Sequence, residues 1–210
     1  MNKCKTLGTL YIVAAPSGGG KSSLVASLLE AMDNLELSIS HTTRDKRAGE
    51  IQGQHYHFID ELAFEAMVKA GEFIEYAKVF DRYYGTSIVQ IESRLKKGID
   101  VILDIDWQGA KQLRQQFEQV VSIFIIPPSL EELMQRLQSR GRDDLDVIKA
   151  RMQQAQAEIS HFEEFDYLII NDDFQQALGE LKSIVQANRL KLSIQREKCA
   201  KLLSLLLQKQ

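Results

Sequence analysis

The 210-residue sequence has little of several features that mark particular classes of protein. It contains two cysteines, Cys4 and Cys199, at opposite ends of the chain and without metal-site spacing, so neither a disulfide framework nor a metal site is expected. No apolar run reaches the length of a membrane-spanning helix, and glycines interrupt the apolar run near the start, which is unlike a signal peptide. We therefore expect a cytoplasmic protein that does not contact a membrane.

The sequence also has no excess of positive charge. Its formal net charge is -3 and its pI is near 5.9, so binding of nucleic acid through bulk charge is not expected. We find no internal repeat and no low-complexity linker. With 44% hydrophobic residues, the chain can bury one core and carry an inserted lobe. Any anionic ligand would then be held by arginines that cluster locally.

The most informative motif is the glycine-rich segment AAPSGGGKSS at residues 14–23, which lies between an apolar run and an apolar helical pattern. Gly20, Lys21 and Ser22 match the second half of the phosphate-binding pattern G-x-x-x-x-G-K-[ST], whereas Ala15 replaces its first glycine. Backbone N–H groups of such a loop bind phosphate oxygens, and we expect Lys21 to reach the terminal phosphates. A plain strand-to-helix connection is the alternative interpretation.

The rest of the chain alternates predicted strands and helices. Apolar runs at residues 101–105 and 120–126 are typical of parallel strands that are covered on both faces. Shorter strands at residues 36–40 and 54–59 predict a separate lobe, and the polar segment between them is too charged to be core. The pattern indicates an α/β fold that is helical from residue 174 to its end.

Charged side chains accompany the predicted phosphate loop. Asp104 and Asp106 end a buried strand, where doubly wound sheets bind their ligands, although an aspartate there also often caps a helix. Such an aspartate and Ser22 could hold the water shell of Mg²⁺. The arginines form two groups, which are Arg44 with Arg47 and, later in the chain, Arg136, Arg140, Arg142 and Arg151.

Two histidines, His55 and His57, flank Tyr56 in the predicted strand at residues 54–59. Alternation puts both on the face opposite the tyrosine. Solvent-facing positions are a simpler interpretation of them than a metal site.

Five ordered segments resemble the guanylate kinase family. They are HTTRDKRAGE at residues 41–50, FIEYA from residue 73, YYGT from residue 83, ILDIDWQG from residue 102 and IINDD from residue 169. The resemblance covers about residues 7–190. It implies a P-loop core built on a doubly wound parallel sheet, an inserted small α/β lobe for GMP and a helical lid. ATP and GMP would be the substrates and Mg²⁺ the cofactor.

The resemblance also implies boundaries and residue roles. The core would comprise residues 1–35 and 99–190, with the lid at about 136–157, the GMP lobe at 36–98 and a helical extension at 191–210. Catalytic residues would be Lys21, Arg44, Arg136, Arg140 and Arg151. ATP would be bound by Ala15, Pro16, Ser17, Gly18, Gly19, Gly20, Lys21, Ser22, Ser23, Arg136 and Asn171. GMP would be bound by Ser40, Arg44, Arg47, Tyr56, Glu75, Tyr84, Thr86 and Asp104. Ser22 and Asp104 would hold Mg²⁺ and its waters.

Ser40, Glu75 and Thr86 would read the guanine base. One carboxylate can accept hydrogen bonds from both N1–H and N2–H₂ of guanine, whereas adenine presents an acceptor and a donor there. Adenine would leave Glu75 mispaired, and unpaired buried polar groups separate analogues by roughly 10⁴-fold.

Two other functions stay open at this point. A guanylate-kinase-like interaction module would keep the fold without turnover, although such relatives typically lose the lysine-bearing loop. A related kinase could act on another phosphorylated acceptor. Leucines of the extension also suggest a C-terminal helix docked on its own domain or on a second subunit, and a homo-oligomer formed through this helix is our hypothesis. These leucines are Leu202, Leu203, Leu205, Leu206 and Leu207.

Overall fold

The computed structural model describes residues 8–79, 81–117, 119–139 and 145–208. Its strands are β1 (Leu10–Ala14), β2 (Leu35–Leu37), β3 (His41–Thr42), β4 (His57–Phe58), β5 (Phe73–Val79), β6 (Arg82–Ser87), β7 (Asp100–Asp104), β8 (Val120–Ile126) and β9 (Tyr167–Ile170). Its α-helices are α1 (Lys21–Ala31), α2 (Glu61–Lys69), α3 (Ile88–Lys96), α4 (Trp107–Gln116), α5 (Leu130–Ser139), α6 (Leu145–Ile159), α7 (Phe174–Arg189), α8 (Leu192–Lys198) and α9 (Ala200–Leu206).

The larger sheet has five parallel strands in the order β2-β7-β1-β8-β9. Every residue of β1 is buried, because this apolar strand lies at the centre and is covered on both faces. Apolar side chains of α1 and α7 form one core cluster with the sheet, and those of α3 and α4 form a second. Helices therefore cover both faces, which confirms the predicted doubly wound α/β fold.

The smaller sheet has the order β4-β3-β6-β5 and forms the predicted lobe together with α2. Asp60 caps α2 by accepting a hydrogen bond from the N–H of Ala63 at 2.7 Å. Phe64 of this helix is buried and stacks on Phe73 and Tyr83, with ring centroids 4.6 and 5.3 Å apart. These aromatic contacts join helix and sheet and make a small core separate from that of the larger sheet.

Several strand predictions in this region were wrong. The strand predicted at residues 36–40 is β2, at Leu35–Leu37, and it pairs with β7 in the larger sheet. The segment judged too charged to be core contains β3, whose His41 and Thr42 are buried between β4 and β6. Pairing on both sides removes this backbone from water, whatever its composition. α3, also within the predicted lobe range of 36–98, packs on the larger sheet.

The two histidines do not share a solvent-facing strand face, as the sequence had suggested. His57 is half-buried, and its ring stacks on His41 with centroids 4.6 Å apart. His55 lies in a turn before the two-residue strand β4, where its Nδ1 accepts a hydrogen bond from the N–H of Ile51 at 3.0 Å. The alternation argument failed because the strand is too short to include His55.

The region predicted as the lid, at about 136–157, contains the end of α5 and most of α6, and these two helices pack together through Leu133, Leu137 and Ala155. The C-terminal part is helical as predicted, and it consists of α7, which ends at Arg189, and two short helices that follow it. The leucines of α9 and the residue after it are exposed; Leu205, for example, retains 66% of its accessible surface. Within the described ranges, no helix is both long and apolar enough to cross a membrane.

Candidate functional site

The loop between β1 and α1 has the backbone conformation that the glycine motif predicts. Gly18 and Gly20 have φ values of 90° and 88°, which favour glycine. A Cβ atom on Gly20 would lie 2.2 Å from Nδ2 of Asn171, and one on Gly18 would lie 2.8 Å from Leu133. Asn171 is buried, and its Nδ2 donates a hydrogen bond to the carbonyl of Gly19 at 2.9 Å. A side chain at either glycine would therefore displace the packing around the loop.

Lys21 opens α1 and lies against the end of β7. Its Nζ forms an ion pair with Asp104 and donates to the carbonyl oxygen of Ile105 at 3.3 Å. The parallel pairing of β1 with β7 sets Val13 opposite Asp104 and so brings the strand end beside the loop. Asp106 is the N-cap of α4, since its Oδ1 accepts from the N–H of Gly109 at 2.8 Å.

Two cavities adjoin the loop. One, of about 230 Å³, is lined by loop residues 15–22 together with Asp106 and Glu158. The other, of about 220 Å³, is lined by Gly18, Gly20, Ser23, Arg136, Ser139, Asn171, Asp172 and Phe174. The predicted ATP-binding residues of the loop, Arg136 and Asn171 thus line the cavities that adjoin the loop.

Each lid helix brings an arginine towards the loop. Arg136 of α5 donates to the carbonyl oxygen of Asn171 at 3.0 Å and pairs with Glu132 at 2.7 Å. Arg151 of α6 donates to the hydroxyl of Ser17 at 3.2 Å. Arg140 lies outside the described residues.

In the lobe, Glu75, Thr86 and Ser40 lie together. Antiparallel pairing of β5 with β6 sets Glu75 opposite Thr86, whose hydroxyl donates to Oε1 of Glu75 at 2.5 Å. The hydroxyl of Ser40 is 3.3 Å from that of Thr86. The Glu75 side chain is only 6% exposed, and burial, with a contribution from Asp106, raises its pKa to about 7.

A basic and aromatic group lies nearby in the lobe. Arg44 makes two parallel hydrogen bonds to the carboxylate of Glu50, at 2.7 and 2.9 Å, and its guanidinium lies 5.3 Å from the ring centroid of Tyr56. Tyr56 in turn packs edge-on against Tyr84. Contact with Arg44 and the N–H of Arg47 lowers the pKa of Glu50 to about 2. The Arg47 side chain is exposed, and its charge also contributes to the lowered pKa of Glu50.

The two halves of the site adjoin at the first turn of α4. A Cβ atom on Gly109 would lie 3.1 Å from Oε2 of Glu75, so the buried carboxylate lies against the helix that follows β7. Burial, the neighbouring Tyr84 and the charge of Asp104 raise the pKa of Tyr56. The carboxylate of Asp104 therefore influences both the loop lysine and the lobe.

Three residues that contact the predicted site residues were not predicted from the sequence. They are Glu50, Gly109 and Glu158. Glu158 accepts a hydrogen bond from the N–H of Ser17, and burial raises its pKa. The sequence signal for Glu158 was its position seven residues after Arg151, because two helical turns bring a side chain back to the same face of the helix. For Glu50, the signal was a carboxylate three residues after Arg47 in a turn.

Comparison with known proteins agrees with this geometry. The family model described as Guanylate kinase matches residues 7–188. The chain belongs to the guanylate kinase family. The guanylate kinase of Legionella pneumophila (strain Lens) is 59% identical over 203 residues, which are 97% of this chain and 97% of the relative. The guanylate kinase of Vibrio cholerae is 56% identical over 202 residues, covering 95% and 98% of the two chains.

A solved structure supports the same family. The crystal structure of guanylate kinase from Anaplasma phagocytophilum matches with a TM-score of 0.74 at 37% identity, covering 90% of this chain and 89% of that one. The guanylate kinase resemblance read from five short segments therefore extends through the sequence and the fold.

Proposed function

We propose that the chain transfers the γ-phosphoryl group of ATP to GMP, giving ADP and GDP. Membership of the guanylate kinase family supports the reaction, and the glycine-rich loop with Lys21 supports a nucleotide phosphate donor. One observation carries the assignment of guanine as the acceptor's base. Glu75 is a buried carboxylate with hydroxyls of Thr86 and Ser40 beside it, a set that matches two adjacent donors on a base.

On the ATP side, the loop binds the phosphates and the lid supplies arginines to the transferring group. Backbone N–H groups of the loop after Pro16, at residues 17–22, and Nζ of Lys21 bind the β- and γ-phosphates, aided by the N-terminus of α1. Asn171 holds the loop and, with Arg136, lines the cavity assigned to the rest of the nucleotide. Arg151, and Arg140 by resemblance, approach the transferring group when the lid closes.

The residues at the loop fit a Mg²⁺ ion that arrives with the nucleotide. Mg²⁺ prefers oxygen ligands and keeps several waters, so it usually needs few protein ligands in addition to phosphates. Ser22 offers an exposed hydroxyl, and Asp104 and Asp106 offer carboxylates at the end of β7. In the described ranges, no group of three or more acidic, His or Cys residues could hold a metal alone. When bound, the ion would neutralise charge on the phosphates.

On the GMP side, recognition separates into base and phosphate. Glu75, Ser40 and Thr86 read the base, whereas Arg44, Arg47, Tyr56 and Tyr84 hold the phosphate. Arg44 meets phosphate oxygens through Nε and the second hydrogen of Nη2, because the other guanidinium hydrogens go to Glu50 and to the carbonyl of Asp45. Glu50 keeps the guanidinium oriented before GMP arrives, which lowers the ordering cost of binding.

The transfer itself needs positioning and charge neutralisation more than proton chemistry. The acceptor is already an anionic phosphate, so the site needs no dedicated general base. Lys21 and the arginines stabilise the charge that spreads over the γ-phosphoryl oxygens. Because Arg136 and Arg151 lie on the lid, catalysis depends on lid closure, which also excludes water from ATP.

The proposed function is tested by a coupled assay of ADP release. Mg-ATP is offered with GMP, AMP, UMP or dTMP as acceptor, and we expect strong turnover with GMP alone. Turnover with another acceptor and not with GMP would overturn the role given to Glu75. Folded protein that turns over none of the four would favour an interaction module or a kinase of a different acceptor.

We also propose that the chain forms a homo-oligomer through the extension at residues 191–210, and that it is cytoplasmic, as its cysteine usage suggests. The exposed leucines of α9, including Leu205 and Leu206, present an apolar surface that a second copy would cover. Light scattering after size exclusion should give the mass of a single copy for a chain that lacks residues 191–210. A variant with Leu205→Ser and Leu206→Ser keeps the length and should also give the mass of a single copy; the same number of copies as in the wild type, in both variants, would refute the interface.

A further inference from the structure

Glu158 is a lid carboxylate that faces the phosphate loop. It is the penultimate residue of α6, and its Oε2 accepts a hydrogen bond from the backbone N–H of Ser17 at 3.3 Å. Its Oε1 accepts from Nε2 of Gln154, one helical turn earlier, at 3.2 Å. Both oxygens of this half-buried carboxylate are therefore held, and one of them uses a loop donor that could otherwise bind a phosphate oxygen.

Charges of both signs lie around Glu158, because Asp106 raises its pKa and Lys21 lowers it. Asp106 and Glu158 line the same cavity at the phosphate loop, and Asp104 forms an ion pair with Lys21 of that loop. In the part of the chain that the structure describes, Glu158 itself takes part in no ion pair. Lys21 is paired with Asp104, so part of its charge is balanced before any ligand arrives.

The negative charge of Glu158 acts differently on two forms of the same nucleotide. The interaction between fixed charges grows with the charge of the ligand and is strongest where water is excluded. A nucleotide phosphate chain without a metal ion carries two more negative charges than the same chain with a bound divalent cation. A carboxylate fixed at the mouth of the loop therefore penalises the metal-free form more.

We propose that Glu158 is a specificity-determining residue that makes the phosphate loop prefer nucleotide carrying a divalent cation over free nucleotide. The inference rests on the ATP side of the proposed function. It predicts that Glu158 leaves the Ser17 N–H when phosphates enter the loop, because both anions compete for this donor. Lid position and nucleotide binding are thereby linked through one carboxylate on α6.

The test measures dissociation constants for ADP by calorimetry, in excess Mg²⁺ and in EDTA, with the full-length chain and without GMP. The variant Glu158→Gln keeps the shape and an acceptor oxygen but removes the charge. The control is Glu163→Gln, an exposed position in the 3-10 turn after α6, where the same charge is lost away from the loop. Glu158→Asp keeps the charge on a shorter side chain.

We expect the ratio of the dissociation constant in EDTA to that in Mg²⁺ to fall about tenfold in Glu158→Gln, equivalent to about 1.4 kcal/mol. The fall should come mainly from tighter binding of free ADP. Glu163→Gln should keep the wild-type ratio, and Glu158→Asp should retain most of it. An unchanged ratio in Glu158→Gln, or an equal change with and without Mg²⁺, would overturn the inference. If the wild-type chain bound ADP under neither condition, the proposed function would fail instead.

Discussion

Replacing Glu75 by Gln should weaken GMP turnover and yet stabilise the ligand-free protein. The carboxylate is buried, and it accepts a hydrogen bond from Thr86 at 2.5 Å. A neutral amide would lose the charge-assisted pairing with N1–H and N2–H₂ of guanine and would turn a donor towards one of them. Such losses cost about 3–4 kcal/mol, so we expect kcat/KM for GMP to fall roughly 10²–10³-fold. The KM for ATP should stay unchanged.

The stability gain follows from the pKa of Glu75. Burial raises this pKa from an ordinary value of 4.5 to about 7, so the folded state holds its proton more tightly than the unfolded state. Ionising Glu75 therefore costs stability progressively as the pH rises from about 4.5 to 7, and the cost is complete above pH 7. A shift of this size corresponds to about 3 kcal/mol, which Glu75→Gln would recover at pH 8. We expect a melting temperature roughly 5–10 °C higher.

The same pKa predicts the pH dependence of wild-type activity. Because guanine needs the ionised carboxylate, kcat/KM for GMP should fall about tenfold per pH unit below pH 7. Glu75→Gln should lose this dependence. Steady-state kinetics from pH 5.5 to 8.5 and thermal melts at pH 5 and pH 8 measure both effects. The control is Glu72→Gln, an exposed position just before β5. Unchanged kcat/KM for GMP, or a lower melting temperature at pH 8, would refute the reasoning.

Three further predictions concern the loop, α4 and the lid. Lys21→Ala should lower kcat by about 10³-fold in a folded protein, and substantial residual phosphoryl transfer would remove the loop from the mechanism. Gly109→Ala should raise the KM for GMP several-fold, since the new Cβ would press on Glu75, while it stabilises the helix by up to about 1 kcal/mol. Trp107, the one tryptophan of the sequence, stacks on His161 at 3.5 Å beside the lid, so its fluorescence should change when ATP binds. A His161→Leu variant should lose most of that change, and a wild-type emission insensitive to ATP would argue against lid movement at this stack.

Local patterns alone were enough to predict much of this protein. The loop at residues 14–23 could be read from sequence because its glycines have a local backbone requirement, met at Gly18 and Gly20. The strands β7 and β8 were predictable because parallel strands covered on both faces are continuously apolar. The family resemblance then indicated which residues to look for around the loop, and the structure brings most of them together.

Contacts between segments that are distant in sequence could not be read from those patterns. β3 is buried because β4 and β6 pair with it, although its own composition is polar. The stacked rings of His41 and His57, and the approach of Gly109 to Glu75, depend on how the lobe folds back on itself and on α4. Glu158 reaches Ser17 across 141 residues of chain. The glycine loop, the strands of the larger sheet and the family could therefore be predicted from local patterns. Which carboxylate lies against which phosphate-binding group depends on distances between elements, and tertiary packing sets these distances rather than the spacing within an element.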